Sequence, residues 1–415
     1  MSLSTPGSRR AWGTVGLLWL ALLINYVDRQ VVFSIFPALQ RELGFDTRQL
    51  SLIGTVFLWS YSLCLPIFGR LADVVRRDRL IVLSLIFWSV ATLATGRSHS
   101  VSEFLFWRGM MGVTEALYLP AAIGLIGMLH PGQTRSRALA AHGTAQVIGI
   151  ILGSGYGGWM ADTAGWRTAF LLLSVLGVAY APFLLFGFRG LPLKVTPKTR
   201  DAAGAYAFLQ SACYRALAFG FFCFCGLLWM LYVWLPSFLY ERFGLSMAES
   251  GLAATLYLQT SSAIGALFWG WVSDRWAGVR GGARFFVLGG LLLASGPFAY
   301  LTVASSSLAT LKLFSAAFGF FAGGIVGNIF GAVFDVIPVS NHGVGVGTMN
   351  MIGGIAGGLG VLFAGHWKES FGLAGVMLAA AAAVVASGAT VIIVGRARLA
   401  LERARAGLPI RVAFF

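Results

Sequence analysis

Asp28, Arg29, Arg108 and Glu115 are ionisable residues that fall deep inside long apolar stretches of the chain. On insertion scales a charge at the centre of a membrane helix costs roughly 2.5–3.5 kcal/mol. The four must therefore pair with one another or line a wet cavity. Two carboxylates and two guanidiniums sum to zero, so complete pairing is open to them. Arg108 and Glu115 are seven residues apart, close to two helical turns, and so share a helix face. One chemistry fits this set. With both carboxylates ionised the arginines are neutralised internally. Protonating Asp28 and Glu115 frees up to two positive charges for an incoming anion, so proton and anion favour each other's binding. The competing reading is a static ion-pair cluster that only locks two helices together. How far burial and the neighbouring arginines shift the carboxylates is not readable from the sequence.

These residues need helices that cross a bilayer. The chain has 415 residues, of which 58% are apolar and only 11% charged. An ordinary soluble domain is about 25% charged. A span needs about 20 apolar residues, and twelve such runs are present, at 12–36, 49–70, 80–96, 104–129, 138–161, 167–187, 214–240, 250–272, 284–304, 308–334, 343–366 and 371–395. The expected fold class is an all-α membrane protein with twelve transmembrane helices in two six-helix bundles. The expected division is a first bundle at 1–187, a linker at 188–213, a second bundle at 214–395 and a basic tail at 396–415.

The net charge is +15. Counted by segment, all of that excess falls on the face that carries both termini, and the connections on the opposite face sum to zero. Lys and Arg accumulate in cytoplasmic loops, so both termini are expected in the cytoplasm. The same distribution argues against nucleic acid as a partner, because the basic residues are scattered over seven segments with no reading module. The tail arginines, Arg396 to Arg411, suit contact with anionic headgroups. Cys64, Cys213, Cys223 and Cys225 have no metal-binding spacing and read as small packing residues. No phosphate loop, catalytic triad or HExxH string is present, so neither an enzyme nor an ATP-driven pump is expected, and no cofactor or metal.

An internal repeat points further. Gly69-Arg-Leu-Ala-Asp73-Val-Val-Arg-Arg77 follows the second span, and Gly270-Trp-Val-Ser-Asp274-Arg275 follows the eighth, 201 residues on. Gly, Asp and Arg in such a loop suit a close approach of helix ends with an ion pair or a helix cap. This pattern resembles the signature loop of the major facilitator superfamily, and Gly165-Trp166-Arg167 is also similar to that family. The resemblance implies alternating access between two bundles, with Gly69, Asp73, Arg77, Gly270, Asp274 and Arg275 in gating loops. The chain departs from the signature at Val74, Arg76 and Asp78.

Asn25-Tyr26-Val27-Asp28-Arg29 and Arg108-x-x-x-Gly112-x-x-Glu115-Ala116 resemble the anion:cation symporter family of sugar-acid and hexuronate carriers, and also the Spinster family of lysolipid carriers. The resemblance implies that Asp28 and Glu115 carry the proton and that Arg29 and Arg108 hold a carboxylate or phosphate, with the proton as coupling ion. It also implies substrate contacts for Tyr26, Gln146 and Asn350, although buried amides equally serve as interhelical hydrogen bonds. His142 reads as a packing residue with a proton relay as the sharper alternative. Lys312 reads as a snorkelling side chain. Asp335 breaks the charge rule with nothing in the sequence to explain it. Gly149, Gly153 and Gly157 form a close-packing face.

The expected function is proton-coupled symport of a small organic anion such as a sugar acid. The alternatives are a Spinster-like carrier of a lysolipid or other amphiphilic anion, and a non-transporting receptor or scaffold. A monomer in a bacterial inner membrane is expected.

Overall fold

A computed structural model of the chain describes residues 8–130, 132–191, 206–279 and 282–405. Most of the expected linker and the end of the basic tail, including Lys194, Lys198 and Arg411, lie outside the described residues. The described residues are helical throughout, with short connections. In chain order the helices are α1 Ser8–Val31, α2 Phe36–Leu43, α3 Thr47–Val74, α4 Arg77–Gly96, α5 Val101–Glu115, α6 Tyr118–Leu129, α7 Arg135–Thr163, α8 Trp166–Gly187, α9 Ala212–Phe243, α10 Met247–Val279, α11 Ala283–Ala304, α12 Leu308–Phe334 and α13 His342–Arg405.

Ten helical stretches are long and apolar enough to cross a membrane. One of these is the stretch Val101–Leu129, which joins α5 and α6. Another, His342–Ala404, is two segments joined across Gly372, whose φ of 67° and ψ of 165° are not helical. A positive φ of that size is open to glycine and costly for a residue with a Cβ. Counting these two segments and α10 gives the twelve membrane helices read from the sequence.

The expected fourth span is broken in its middle. Proline at position i has no N–H and crowds the carbonyl of residue i−4. Pro120 therefore ends the hydrogen-bond ladder at Ala116, and α5 stops at Glu115. The carboxylate thus sits at a helix end rather than mid-helix.

The chain divides into two compact units, Met1–Thr199 with Leu239–Leu252, and Arg200–Phe238 with Ala253–Phe415. In the first unit, α1 lies against the glycine face of α7. A Cβ at Gly149 would meet Tyr26 Cβ at 2.6 Å, and one at Gly153 would meet the Val27 carbonyl oxygen at 2.6 Å. Gly157 makes the same close approach to Val31. Without lipid-excluded apolar surface to drive association, backbone contact of this kind supplies the packing between membrane helices. Leu18, Ile81, Trp88, Tyr118 and Leu125 form part of the core beside it. The segment 239–252 belongs to this unit, and the Asp162 carboxylate accepts from the Ala248 N–H at 2.9 Å. In the second unit, α11 packs on α13, where Gly296 faces the Ala381 carbonyl oxygen and Gly388 that of Gly289.

Candidate functional site

The four intramembrane charges converge in the first unit. α1 carries Asp28 and Arg29, α5 carries Arg108 and Glu115, and all four are buried, with Arg108 0% and Glu115 1% exposed. Arg29 donates to Oε2 of Glu115 from Nη2 at 2.7 Å and from Nε at 3.2 Å. Charge-assisted bonds of this kind are among the strongest a side chain makes. Nη2 also reaches Oδ1 of Asn25 at 3.4 Å. Three rings surround the Arg29 guanidinium: those of Tyr26 at 4.7 Å, Phe57 at 4.8 Å and Tyr61 at 4.6 Å.

The second pairing open to these charges is not made. Asp28 bonds through Oδ2 to the Thr92 hydroxyl of α4, and its Oδ1 has no hydrogen-bond partner among the described residues. Arg108 donates from Nη1 to the Met111 sulfur at 3.1 Å and lies over the Phe57 ring at 5.0 Å. Its Nε and Nη2 have no hydrogen-bond partner among the described residues. The expectation of internally neutralised arginines is therefore met for Arg29 and not for Arg108. Thr92 takes one oxygen of Asp28, and the ring from α3 covers one face of Arg108. A cation over a ring in a desolvated site gains about 2 kcal/mol or more, which offsets only part of the cost of burying it.

The arrangement can do one thing chemically that a closed ion-pair cluster cannot. Two N–H groups of a fixed planar fork are left free, and that fork matches a carboxylate or phosphate. Deprotonated Glu115 occupies Arg29. Protonated, it would release that guanidinium as well.

The other sequence candidates are distributed differently. Tyr26 faces Arg29, although its spacing from Asp28 did not require it. Gln146 is exposed on α7, about one turn before Gly149 at the Tyr26 contact, and no hydrogen bond joins it to the four charges. Asn350 belongs to the second unit, where its exposed amide donates to the Val346 carbonyl at 3.1 Å. His142 is buried, with Nε2 3.1 Å from the Tyr118 hydroxyl, which donates to the Leu18 carbonyl at 2.6 Å. Lys312 extends over the Tyr257 ring at 5.4 Å.

The two signature loops use different partners. Asp73 and Arg77 stand 3.7 Å apart, and Arg77 also donates to the Ala72 and Gly124 carbonyls. A Cβ at Gly124 would meet Arg77 Nε at 2.6 Å, so a side chain there would displace the guanidinium. Gly69 and Gly270 have open space around them. Asp274 pairs not with Arg275, which is exposed, but with Arg284 at 2.9 Å. Arg284 also binds Asp335 at 3.0 Å, and Arg403 approaches the same carboxylate at 4.0 Å. Asp335 thus has its reason: it neutralises arginines from two other segments. Beside it, Glu402 accepts from the Ala212 and Cys213 N–H groups at 2.9 and 3.1 Å, capping the start of α9. Arg403 and Glu402 therefore face protein rather than lipid headgroups.

Sequence reasoning missed Phe57, Thr92, Met111, Arg284 and Glu402. A spacing signal exists for Arg284 alone, as a basic residue facing the second signature loop. Among the described residues no cluster of His, Cys, Asp and Glu is placed to hold a metal ion.

Comparisons with known proteins bear on the family and the fold. The family described as the Major Facilitator Superfamily matches residues 18–360 and 217–409. The chain is 24% identical to the probable galactarate/D-glucarate transporter GudP of Bacillus subtilis (strain 168) over 392 residues, covering 85% of each chain. It is 26% identical to the multidrug transporter protein MdtP of the same strain, over 53% of this chain and 41% of that protein. Among solved structures, a bacterial homologue of the human lysosomal transporter Spinster, in an inward-facing and unoccupied conformation, superposes with a TM-score of 0.81. Its identity is 18%, and the match covers 94% of this chain and 98% of that one.

Proposed function

Because the chain belongs to the Major Facilitator Superfamily, whose members matched here are membrane transporters and not enzymes, we propose that it is a proton-coupled symporter of a small organic anion. The reading is carried by one observation: Arg108 is fully buried with Nε and Nη2 unpartnered, two helical turns from the carboxylate that holds Arg29. A buried guanidinium without a counter-charge is costly unless a ligand completes it. A sugar acid supplies a carboxylate for the fork, and the similarity to a galactarate/D-glucarate transporter supports that class.

The coupling has a definite sign. Anion binding at Arg108 is favoured when Glu115 and Asp28 carry protons, since each neutralised carboxylate removes a competitor or a repulsion. By linkage the bound anion favours protonation to the same extent. Both species then cross in one direction. The charge distribution supports cytoplasmic termini, and the closest physical setting is a bacterial inner membrane.

Purified protein in liposomes tests this with D-glucarate as the probe. An inside-alkaline pH gradient is expected to drive accumulation that a protonophore collapses. Arg108→Ala is expected to abolish uptake. Glu115→Gln is expected to keep counterflow exchange and lose accumulation driven by the gradient. Accumulation by Glu115→Gln equal to the parent would overturn the proton assignment. Lysophosphatidylglycerol binding in place of sugar acids would move the protein to the amphiphile-carrier class, and ligand binding without any flux would make it a receptor.

A further inference from the structure

Phe57 is an apolar residue of α3 that touches both guanidiniums. Its ring centroid lies 4.8 Å from Cζ of Arg29 and 5.0 Å from Cζ of Arg108, and the ring is fully buried. The two arginines come from different helices, α1 and α5, so the ring joins three elements at one point. We infer that Phe57 is a positioning residue for anion binding: it seats Arg108 against its face, away from Glu115, so that the fork stays free for the substrate. This rests on reading Arg108 as the anion's receptor.

The backbone is built to bring the ring there. Arg108, Gly112 and Glu115 share one face of α5. A Cβ at Gly112 would meet the Phe57 carbonyl oxygen at 2.5 Å, the Tyr61 nitrogen at 3.1 Å and the Ser60 hydroxyl. Glycine at this position therefore lets α5 and α3 touch at the turn that carries Phe57. Tyr61, one turn on, stacks on Phe57 with centroids 6.0 Å apart and planes 16° from parallel, and it also faces Arg29. The result is an aromatic wall from α3, with Arg29 facing both rings and Arg108 facing Phe57.

The wall matters because of what the guanidiniums would otherwise do. Glu115 lies on the same helix face as Arg108 and already binds Arg29. A carboxylate between two arginines can bridge both. A quadrupolar ring attracts each cation without neutralising it, so Arg108 is held in place while its positive charge remains available. Removing the ring lets Arg108 turn onto Glu115, and the site becomes the closed ion-pair cluster.

Two measurements on the full-length protein test this. The first is D-glucarate uptake into liposomes by Phe57→Leu and Phe57→Tyr. The leucine keeps an apolar side chain and loses the face; the tyrosine keeps the face. Phe57→Leu is expected to raise KM by at least about tenfold, equivalent to about 1.4 kcal/mol, with kcat changed less. Phe57→Tyr is expected to stay near the parent. The second is a melting cycle in detergent with Phe57→Leu, Arg108→Met and the double variant. Phe57→Leu is expected to change the melting temperature by different amounts in the parent, where Arg108 loses the ring and can turn onto Glu115, and in the Arg108→Met background, where it can do neither. An equal change in both backgrounds, or a parental KM in a folded Phe57→Leu, would overturn the inference. If the parent takes up no D-glucarate, the symport reading fails while the melting cycle still decides whether the ring holds Arg108.

Discussion

At Arg108 the distinction between a charge and a shape can be measured. Its Nη1 is used on the Met111 sulfur, while Nε and Nη2 remain free and lie on one edge of the guanidinium. Lysine would keep the positive charge, lose the two-pronged edge and carry a more strongly hydrated head into a dry site. Arg108→Lys is therefore expected to fall between parent and Arg108→Ala, with KM for D-glucarate raised by about tenfold to a hundredfold, the loss of one charge-assisted bond at about 1.5–3 kcal/mol. Uptake against substrate concentration checks it, and a parental KM would show that charge alone recruits the anion. At this scale the sequence was readable where burial is expensive. Asp28, Arg29, Arg108 and Glu115 stand out because nothing but pairing or function keeps an ion in an apolar run. Which partner each takes was not readable. Thr92 and Phe57 cost nothing to place in a membrane helix, so their types carry no signal, yet they are the residues that Asp28 and Arg108 touch in place of the full pairing that charge counting allows.

Helices are where the sequence was most legible, because apolar length and glycine spacing are direct consequences of crossing lipid. The face formed by Gly149, Gly153 and Gly157 meets α1 at Tyr26, Val27 and Val31, beside the site residues Asp28 and Arg29. That contact sets the depth and rotation of α1 and with it the aim of both charges. It can be separated from the ordinary cost of glycine in a helix. Alanine in an open helical position gains about 0.8–1 kcal/mol over glycine, so Gly13→Ala and Gly143→Ala, where a Cβ meets nothing within 4 Å, are expected to hold or raise the melting temperature. Gly153→Ala, whose Cβ would press on the Val27 carbonyl at 2.6 Å, is expected to lower it by overpacking, which costs about 1–3 kcal/mol. A Gly153→Ala protein that melts no lower than Gly143→Ala would remove this contact from the argument. What the periodicity did not show was the break after Glu115. Pro120 was visible as a residue, but a proline inside a membrane span can kink, interrupt or merely bend it, and only the traced backbone distinguishes these.

Across the whole chain, the repeat and the charge asymmetry are two independent records of the same organisation. The repeated loop recurs in position but not in partner: Asp73 uses Arg77 one turn on, whereas Asp274 uses Arg284 across a connection, and Arg284 is shared with Asp335. A duplicated motif thus preserves a carboxylate at a helix end while its cation is supplied locally, by Arg77 in the first copy and by Arg284 in the second. Asp335 fits the same logic. It is an acidic residue in an otherwise basic set of connections because Arg284 and Arg403 converge on it. Neutralising it internally leaves the excess of +15 on that face intact as a topological signal. Lys and Arg near helix ends resist translocation, so Asp73, Asp274, Asp335 and both termini are expected on the cytoplasmic side. A green fluorescent protein fused to the C-terminus should then fluoresce in bacteria, and alkaline phosphatase at the same point should be inactive. Phosphatase joined after Gly244, between α9 and α10, should be active instead. The reverse pattern would place the basic face outside, and with it the direction in which protons and anion move together.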